Sequence, residues 1–295
     1  MTPQHHLPAD IERTSLSIIT AELDAMGLTP PPETAAVVKR VIHTTADFDY
    51  ARNLRFTPGA VAAGVAALQA AAPIVTDTNM ALSGITKPGL ARLGGTALCY
   101  MADPEVAALA KANGTTRAVA SMQRAAAEHP GAILAVGNAP TALLTIADLI
   151  ETAGLRPALV IGVPVGFVNV VESKERLFEV CTAHGVPAIV AMGRKGGSNV
   201  AAAICNALVY SAAVMLDPTD RGWKSYFYCS RSKCSAAHFE RFFSQFSPRG
   251  VFFHWLVWYT RLSSTNRNLY IKENIDETVF MFALFKCRKS DKGRN

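Results

Sequence analysis

Three strand–loop–helix junctions constrain the fold of this chain more than any other feature. An apolar run from Ala158 to Ile161 leads into a glycine- and proline-punctuated turn at Gly162, and a helical pattern follows. The same arrangement occurs after the apolar runs 132–136 and 187–192. Short apolar runs with such boundaries are typical of buried parallel strands. Since the carboxyl ends of parallel strands share one sheet edge, we expect the three loops to form one polar, ligand-binding rim.

The sequence up to about residue 213 continues this alternation of strands and helices. Further strand patterns occur at 74–77 and 96–100, and helical patterns occur at 11–24, 34–44, 58–72, 104–112, 116–128, 141–152, 170–183 and 199–208. Strand, crossover helix and next strand at this interval are typical of right-handed βαβ units. The sequence therefore predicts a single α/β domain over residues 10–213, with a mainly parallel five-stranded sheet flanked by helices.

The composition changes abruptly near residue 214. Residues 1–214 contain 15 Lys and Arg against 16 Asp and Glu, whereas residues 215–295 contain 14 against seven, together with ten of the 14 Phe and all three Trp. The aromatic runs show no amphipathic pattern and are not bounded by turn-forming residues. This lack of agreement between local pattern and any fold argues against an evolved domain. We expect residues 214–295 to be an atypical extension, poorly ordered or non-native, and truncation after Ala213 to preserve activity. The alternative is a genuine basic appendage that binds a membrane surface or a partner.

The junctions also carry a family resemblance. The segments VGNAPTAL, GVPVGFVNVVESKE and GRKGGSNVAAAICNAL resemble, in order and spacing, those of the precorrin-8X (cobalt-precorrin-8) methylmutases of cobalamin biosynthesis. The resemblance extends through the upstream segments RVIHTTADFDY, VTDTNMALSGIT and NGTTRA. It implies a homodimeric isomerase that moves a methyl group of the tetrapyrrole from carbon 11 to carbon 12, giving hydrogenobyrinate or its cobalt-containing equivalent. A tetrapyrrole-binding protein without catalysis is the alternative from another class.

His43 is the candidate catalytic residue. It lies near the end of a helical pattern, where a histidine more often interacts with the helix dipole than takes part in catalysis. The resemblance favours catalysis, because His43 matches the catalytic histidine of the family. Imidazole titrates near neutrality and suits the transfer of a proton to a ring nitrogen of the substrate. Methyl migration around a conjugated macrocycle requires no nucleophile, metal or redox group, so we expect no cofactor.

The resemblance implies further residues that bind the substrate: Ser15, Arg117, Gly137, Asn138, Arg194, Lys195, Gly196, Gly197 and Ser198. On the residues alone, the loop 193–198 is equally an anion-binding nest or an ordinary glycine-rich turn. The acetate and propionate carboxylates of a precorrin favour the nest, with Arg194 and Lys195 as their partners. Where the family usually has a serine after its arginine, this chain has Ala118.

Two other polar pairs have simpler interpretations. Asp77 and Asn79 follow a strand pattern and either orient the ligand or cap a helix. Glu172 and Lys174 are interpreted as an exposed pair on the helix after the second junction, without a chemical role.

Several other classes of protein and site are disfavoured. The chain lacks GxGxxG, and GRKGGS misses the Walker spacing, which argues against a nucleotide-dependent enzyme. Cys229, Cys234 and His238 have no evident fourth ligand, so no metal site is predicted. The basic tail matches no nucleic-acid-binding module, and no apolar run is long enough for a membrane span. Three cysteines without paired spacing are interpreted as small buried residues of a cytoplasmic protein: Cys99, Cys181 and Cys205.

Overall fold

Six strands form one sheet in the computed structural model, which describes residues 7–218. The strands are β1 (Leu54–Phe56), β2 (Ile74–Thr76), β3 (Ala97–Leu98), β4 (Ile133–Val136), β5 (Leu159–Gly162) and β6 (Ala188–Ala191). Their order across the sheet is β1-β6-β5-β4-β2-β3. Edge strand β1 pairs antiparallel with β6, with Leu54 opposite Ala191, and the other pairs are parallel.

Helices connect the strands and cover both faces of the sheet. Within the described range they are α1 (Pro8–Ala25), α2 (Pro32–Thr45), α3 (Tyr50–Asn53), α4 (Ala60–Gln69), α5 (Asn79–Gly84), α6 (Lys87–Arg92), α7 (Pro104–Ala112), α8 (Arg117–Glu128), α9 (Pro140–Thr152), α10 (Val170–Ala183) and α11 (Ser198–Ala212). No helix in residues 7–218 is both long enough and apolar enough to cross a membrane.

The alternation of side chains along the central strands divides the core into two layers. In β4, Ile133 and Ala135 belong to the layer built with α1, α2, α4 and α11, whereas Leu134 and Val136 belong to the layer built with α8, α9 and α10. Successive residues of a strand point to opposite faces. Because both faces of these strands are buried, the strands contain continuous apolar runs, as in other parallel sheets.

The predicted fold class is confirmed, but the number of strands is wrong. The sheet has six strands rather than five, because β1 was missed. A three-residue strand is too short to show a period, and β1 pairs with a partner more than 130 residues away in sequence. The buried Thr57 hydroxyl, just after β1, accepts a hydrogen bond from the Ala188 amide at 2.8 Å and secures this edge.

The packed domain continues slightly beyond the predicted boundary at residue 213. Met215 is 3% exposed, and its amide donates to the Tyr210 carbonyl at 2.7 Å. Arg13 of α1 forms a long ion pair with Asp217, at 3.4 Å. The rest of the predicted extension, from residue 219 onward, lies outside the described residues, so the interpretation of that segment stays a prediction.

Candidate active site

The three predicted loops meet at the carboxyl edge of the sheet. They begin at Gly137 after β4, at Val163 after β5 and at Met192 after β6. The Gly197 amide donates to the Val163 carbonyl at 2.8 Å, and the Gly166 amide donates to the Arg194 carbonyl at 3.2 Å. The second and third loops are therefore joined by backbone hydrogen bonds.

Close backbone approach requires glycine at two positions of this rim. A Cβ atom at Gly196 would lie 2.1 Å from the Val163 carbonyl oxygen, and one at Gly137 would lie 2.7 Å from the Ser198 Cα. Any larger residue would push the loops apart, because an added methyl group in a tightly packed region costs about 1–3 kcal/mol. Gly137 thus brings the first loop against the third, and Gly196 brings the third against the second.

A buried carboxylate lies beneath the first loop. Asp77 follows β2 at the same sheet edge and is 1% exposed. Its Oδ1 accepts the Gly137 amide and its Oδ2 accepts the Asn138 and Ala139 amides, each at 2.8 Å. Burial raises the pKa of Asp77, and these three donors oppose the increase. Of the two interpretations left open by the sequence, the structure supports capping, here of the loop that leads into α9.

This capping changes what the first loop can offer a ligand. The amides of Gly137 and Asn138 donate to Asp77, so they do not point outward as anion-binding groups. The exposed Asn138 side chain remains accessible at the surface of the loop. Asn79 lies in the first turn of α5, and the cap of that helix is Thr78, whose hydroxyl accepts the Ala81 amide at 3.1 Å.

A buried ammonium lies beneath the third loop. Lys174 of α10 is 0% exposed, so its interpretation as an exposed residue was wrong; Glu172 is exposed as expected. The Lys174 Nζ donates to the Gly193 and Lys195 carbonyl oxygens, both at 2.8 Å. Burial lowers the pKa of Lys174 to about 8, whereas the two carbonyl acceptors favour its charged form.

The sequence contained a signal for this burial. Lys174 lies four residues after Val170 and three before Leu177, and both are buried on the inward face of α10. Residues with this spacing share one face of a helix. A lysine on an apolar stripe next to a glycine-rich loop is thus a candidate for contact with that loop.

Ser15 and His43 are brought together, although 28 residues separate them. The Ser15 Oγ lies 2.8 Å from the His43 Nδ1, and both residues are half-buried. Packing of α1 on α2 places them, through buried residues that include Ile19 of α1 and Val41 of α2. The hydroxyl can donate to Nδ1 or accept from it, so Ser15 can orient the ring in either tautomer.

Lys195 connects the third loop to the turn that follows His43. Its Nζ lies 2.6 Å from a carboxylate oxygen of Asp47 and 2.6 Å from one of Asp49. The hydrogen bond from Lys195 lowers the pKa of Asp47, and the hydrogen bonds to Asp47 and Asp49 raise the pKa of Lys195. The sequence suggested substrate carboxylates as the partners of Lys195. In the structure the Lys195 ammonium already forms ion pairs with two carboxylates of the protein.

The two predicted arginines lie near this rim in different settings. Arg194 is exposed, and its guanidinium carbon lies 5.4 Å from the ring centre of Phe167, a loop residue that is 81% exposed. Arg117 is the first residue of α8, and its Nη1 donates to the Met101 carbonyl at 3.3 Å. Ala118 is buried among apolar residues, so the methyl group there contributes to packing.

Ser198 is held in place by a residue that the sequence analysis missed. Its Oγ lies 2.8 Å from the Oγ1 of Thr78, the cap of α5. Their separation of 120 residues gives no local pattern that would have revealed the contact. Through this bond the first turn of α11 is tied to the edge of the sheet at β2.

Comparison with known proteins agrees with the resemblance noted from the sequence. The family model described as precorrin-8X methylmutase matches residues 10–211. The chain is 46% identical over 210 residues to the cobalt-precorrin-8 methylmutase of Salmonella typhimurium, covering 69% of this chain and 95% of the relative. It is 40% identical over 198 residues to the precorrin-8X methylmutase of Pseudomonas aeruginosa, covering 67% and 93%.

A solved structure shows the same similarity in three dimensions. The precorrin-8X methylmutase of Thermus thermophilus matches with a TM-score of 0.60 at 42% sequence identity. The match covers 69% of this chain and 98% of the Thermus chain. The family resemblance inferred from the junction motifs is therefore confirmed.

Proposed function

This chain belongs to the precorrin-8X methylmutase family, and from that premise we propose that it is an isomerase of cobalamin biosynthesis. Its reaction moves a methyl group of precorrin-8X, or of the cobalt-containing equivalent, from carbon 11 to carbon 12 and gives hydrogenobyrinate or its cobalt form. The observation that carries the proposal is the contact between Ser15 and His43, at 2.8 Å, beside the turn that Lys195 joins to the rim.

The proposed chemistry is a proton-assisted rearrangement. His43 transfers a proton from Nε2 to a ring nitrogen of the macrocycle, which makes the conjugated system poorer in electrons. The bond from the methyl group to carbon 11 then breaks as its bond to carbon 12 forms. The rearranged macrocycle returns one proton to His43, so substrate and product contain the same atoms. Because the proton leaves from Nε2, Nδ1 keeps its hydrogen, and the Ser15 hydroxyl accepts from Nδ1–H both when the imidazole is charged and when it is neutral. It therefore stabilises both protonation states that the proton transfer requires.

Charged groups near the rim would hold the carboxylates of the substrate. Residues 1–214 have nearly balanced charge, with 15 basic against 16 acidic residues, so attraction of an anionic substrate has to be local. Arg194 and Arg117 have exposed guanidinium groups suited to charge-assisted hydrogen bonds. Lys195 would join them by exchanging Asp47 or Asp49 for a substrate carboxylate.

The test is the absorbance change on mixing the protein with precorrin-8X. Catalytic turnover supports the proposal, whereas a change that stops at one pigment per site would identify a binding protein without catalysis. In His43→Ala we expect turnover to fall about 10³-fold while the product still binds, since general acid catalysis contributes factors of this size. His184→Ala is the matched control, because His184 also lies at a helix end, that of α10, and is exposed. Undiminished isomerisation in His43→Ala would refute the assignment.

We also propose that the working enzyme is a cytoplasmic homodimer whose substrate cavity lies near the subunit interface. Exposed apolar side chains near the site support this. Phe167 and Val168 are 81% and 76% exposed in the second loop, and Ile11 and Ile18 are about half exposed on the helix that carries Ser15. Sedimentation analysis of the wild type and of Phe167→Ser tests the dimer. A wild-type protein that sediments as a monomer at assay concentrations and turns over normally contradicts it.

A further inference from the structure

We propose that Lys174 is a positioning residue that shapes the third loop, residues 192–197, into the binding site for a carboxylate of the tetrapyrrole. This inference rests on the proposed function and deepens it. Within residues 7–218 the hydrogen bonds of Lys174 go to the loop backbone and not to Ser15 or His43. Its effect is exerted through the loop backbone, whose Gly193 and Lys195 carbonyl groups it binds at 2.8 Å.

The direction of these carbonyl groups determines the direction of two amides. The peptide bonds of the described chain are trans. In a planar trans peptide the C=O and the following N–H point in opposite directions. Because the carbonyls of Gly193 and Lys195 point at the ammonium, the N–H groups of Arg194 and Gly196 point away from it. Two amides of one glycine-rich loop that are turned away from the ammonium are thereby available to an anion bound on the outer side of the loop.

The left-handed backbone of the loop permits this arrangement. Gly193 has φ +76° and Gly197 has φ +133°, conformations that favour glycine. The carbonyl of the intervening residue, Arg194, accepts the Gly166 amide of the second loop instead of the ammonium. Alternate carbonyls of the loop are therefore held from different sides, and the ammonium decides which amides remain for a ligand.

The charge of Lys174 also favours an anion at this place. Its side chain is 0% exposed, and no carboxylate among residues 7–218 forms an ion pair with it. An ammonium that is buried without a counter-ion is costly, and an anion bound across the loop lowers that cost. The exposed Arg194 guanidinium on the same loop would contact the same anion from the solvent side. A peripheral carboxylate of a precorrin has the charge and size that this site requires.

The experiment compares Lys174→Met with Arg176→Met in the full-length chain. Arg176 lies on the same helix two residues away, but it is exposed and pairs with Asp148 and Glu151. For Lys174→Met we expect KM and the dissociation constant of the product to rise about 10-fold with kcat changed less than about 3-fold, because the loop binds substrate and transition state alike. For Arg176→Met all three constants should stay within about 2-fold. An unchanged KM and product affinity in Lys174→Met, or an equal fall of kcat and kcat/KM, overturns the proposal.

A second measurement needs no variant and applies even where Lys174→Met does not fold. Amide hydrogen exchange of the wild type, followed by NMR with and without saturating hydrogenobyrinate, should show slower exchange of the Arg194 and Gly196 amides. The Asn138 and Ala139 amides, which donate to Asp77, should be unaffected. If the product binds and the Arg194 and Gly196 amides exchange at unchanged rates, Lys174 does not shape a carboxylate site. A wild type that binds product but does not turn over substrate contradicts the proposed function and leaves this inference standing.

Discussion

The first and third loops of the rim start alike, but opposite charges lie beneath them. Each follows a buried parallel strand, starts at or within one residue of a glycine and leads into a helix. The Asp77 carboxylate accepts three amides of the first loop, whereas the Lys174 ammonium binds two carbonyls of the third. The first loop has its donors turned inward, and the third has its acceptors turned inward.

The difference teaches that a glycine-rich junction is not an anion site by itself. A peptide group has a hydrogen-bond donor on one side and an acceptor on the other. A buried carboxylate that binds the amides therefore leaves the carbonyls for a ligand, and a buried ammonium that binds the carbonyls leaves the amides. The first loop thereby becomes a rigid support for the third loop, which it contacts through Gly137. Under our proposal the third loop is the one that binds carboxylates of the substrate.

Removal of the carboxylate beneath the first loop should have the largest effect. Asp77→Ala leaves three amides without their acceptor, and we expect the free energy of unfolding to fall by about 3 kcal/mol, measured by urea denaturation. Asp103→Ala is the control, because Asp103 is a more exposed cap that accepts one amide, that of Glu105 at 2.8 Å, and forms a partly exposed ion pair with Arg124. Its loss should cost about 1 kcal/mol. Equal losses in the two variants would show that Asp77 has no special role beneath the loop.

The contact between the loops can be broken by one methyl group. Gly196→Ala places a Cβ atom 2.1 Å from the Val163 carbonyl oxygen, so we expect about 2 kcal/mol loss of stability together with weaker product binding. A Cβ atom at Gly131, by contrast, would meet nothing within 4 Å, and the backbone of Gly131 does not have a positive φ. Gly131→Ala should therefore change stability by less than about 0.5 kcal/mol. A Gly196→Ala variant as stable as Gly131→Ala would argue against the tight packing of these loops.

The buried ammonium should give stability a distinct pH dependence. The pKa of Lys174 is about 8 in the folded protein and about 10.4 in the unfolded chain. Between these values the unfolded chain binds more protons, so this residue makes the free energy of unfolding rise with pH. The neutral amine still has two N–H groups for its two carbonyl acceptors. Denaturation of the wild type and Lys174→Met from pH 7.5 to 10 should show a steeper rise in the wild type. Parallel curves would contradict the burial of a charged Lys174.

Release of Lys195 from its carboxylates should have the smallest effect on stability. Asp47→Asn keeps the side-chain oxygen that accepts the Asp49 amide but removes one of the two negative charges that pair with Lys195. We expect a loss of about 0.5 kcal/mol, because exposed ion pairs contribute little. Since the pKa of Asp47 is lowered in the fold, this contribution exists above the ordinary pKa of the residue and is lost as the pH falls through the lowered value. Tighter product binding by Asp47→Asn is the expected functional result, and weaker binding would exclude substrate exchange at Lys195.

Much of the fold could be predicted from local patterns. Both ends of β4, β5 and β6 lie within one residue of the predicted ends. The helices α7 and α10 have the bounds expected from the sequence. These elements are long or strongly apolar, so period and punctuation suffice to identify them. The short strand β1 and the short helices α3, α5 and α6 were not predicted, because a few residues show no period and depend on distant partners.

The sequence by itself determined the family, the α/β class and the position of the three junctions, because these depend on motifs and patterns that are local along the chain. Only the tertiary structure decided which groups lie beneath each loop. Asp77 is 60 residues from Gly137, Lys174 is 19 from Gly193, and Lys195 is 148 from Asp47. The physical reason is that a peptide loop offers both donors and acceptors. The charge of the side chain that packing brings beneath the loop determines whether its amides or its carbonyls remain available to a ligand.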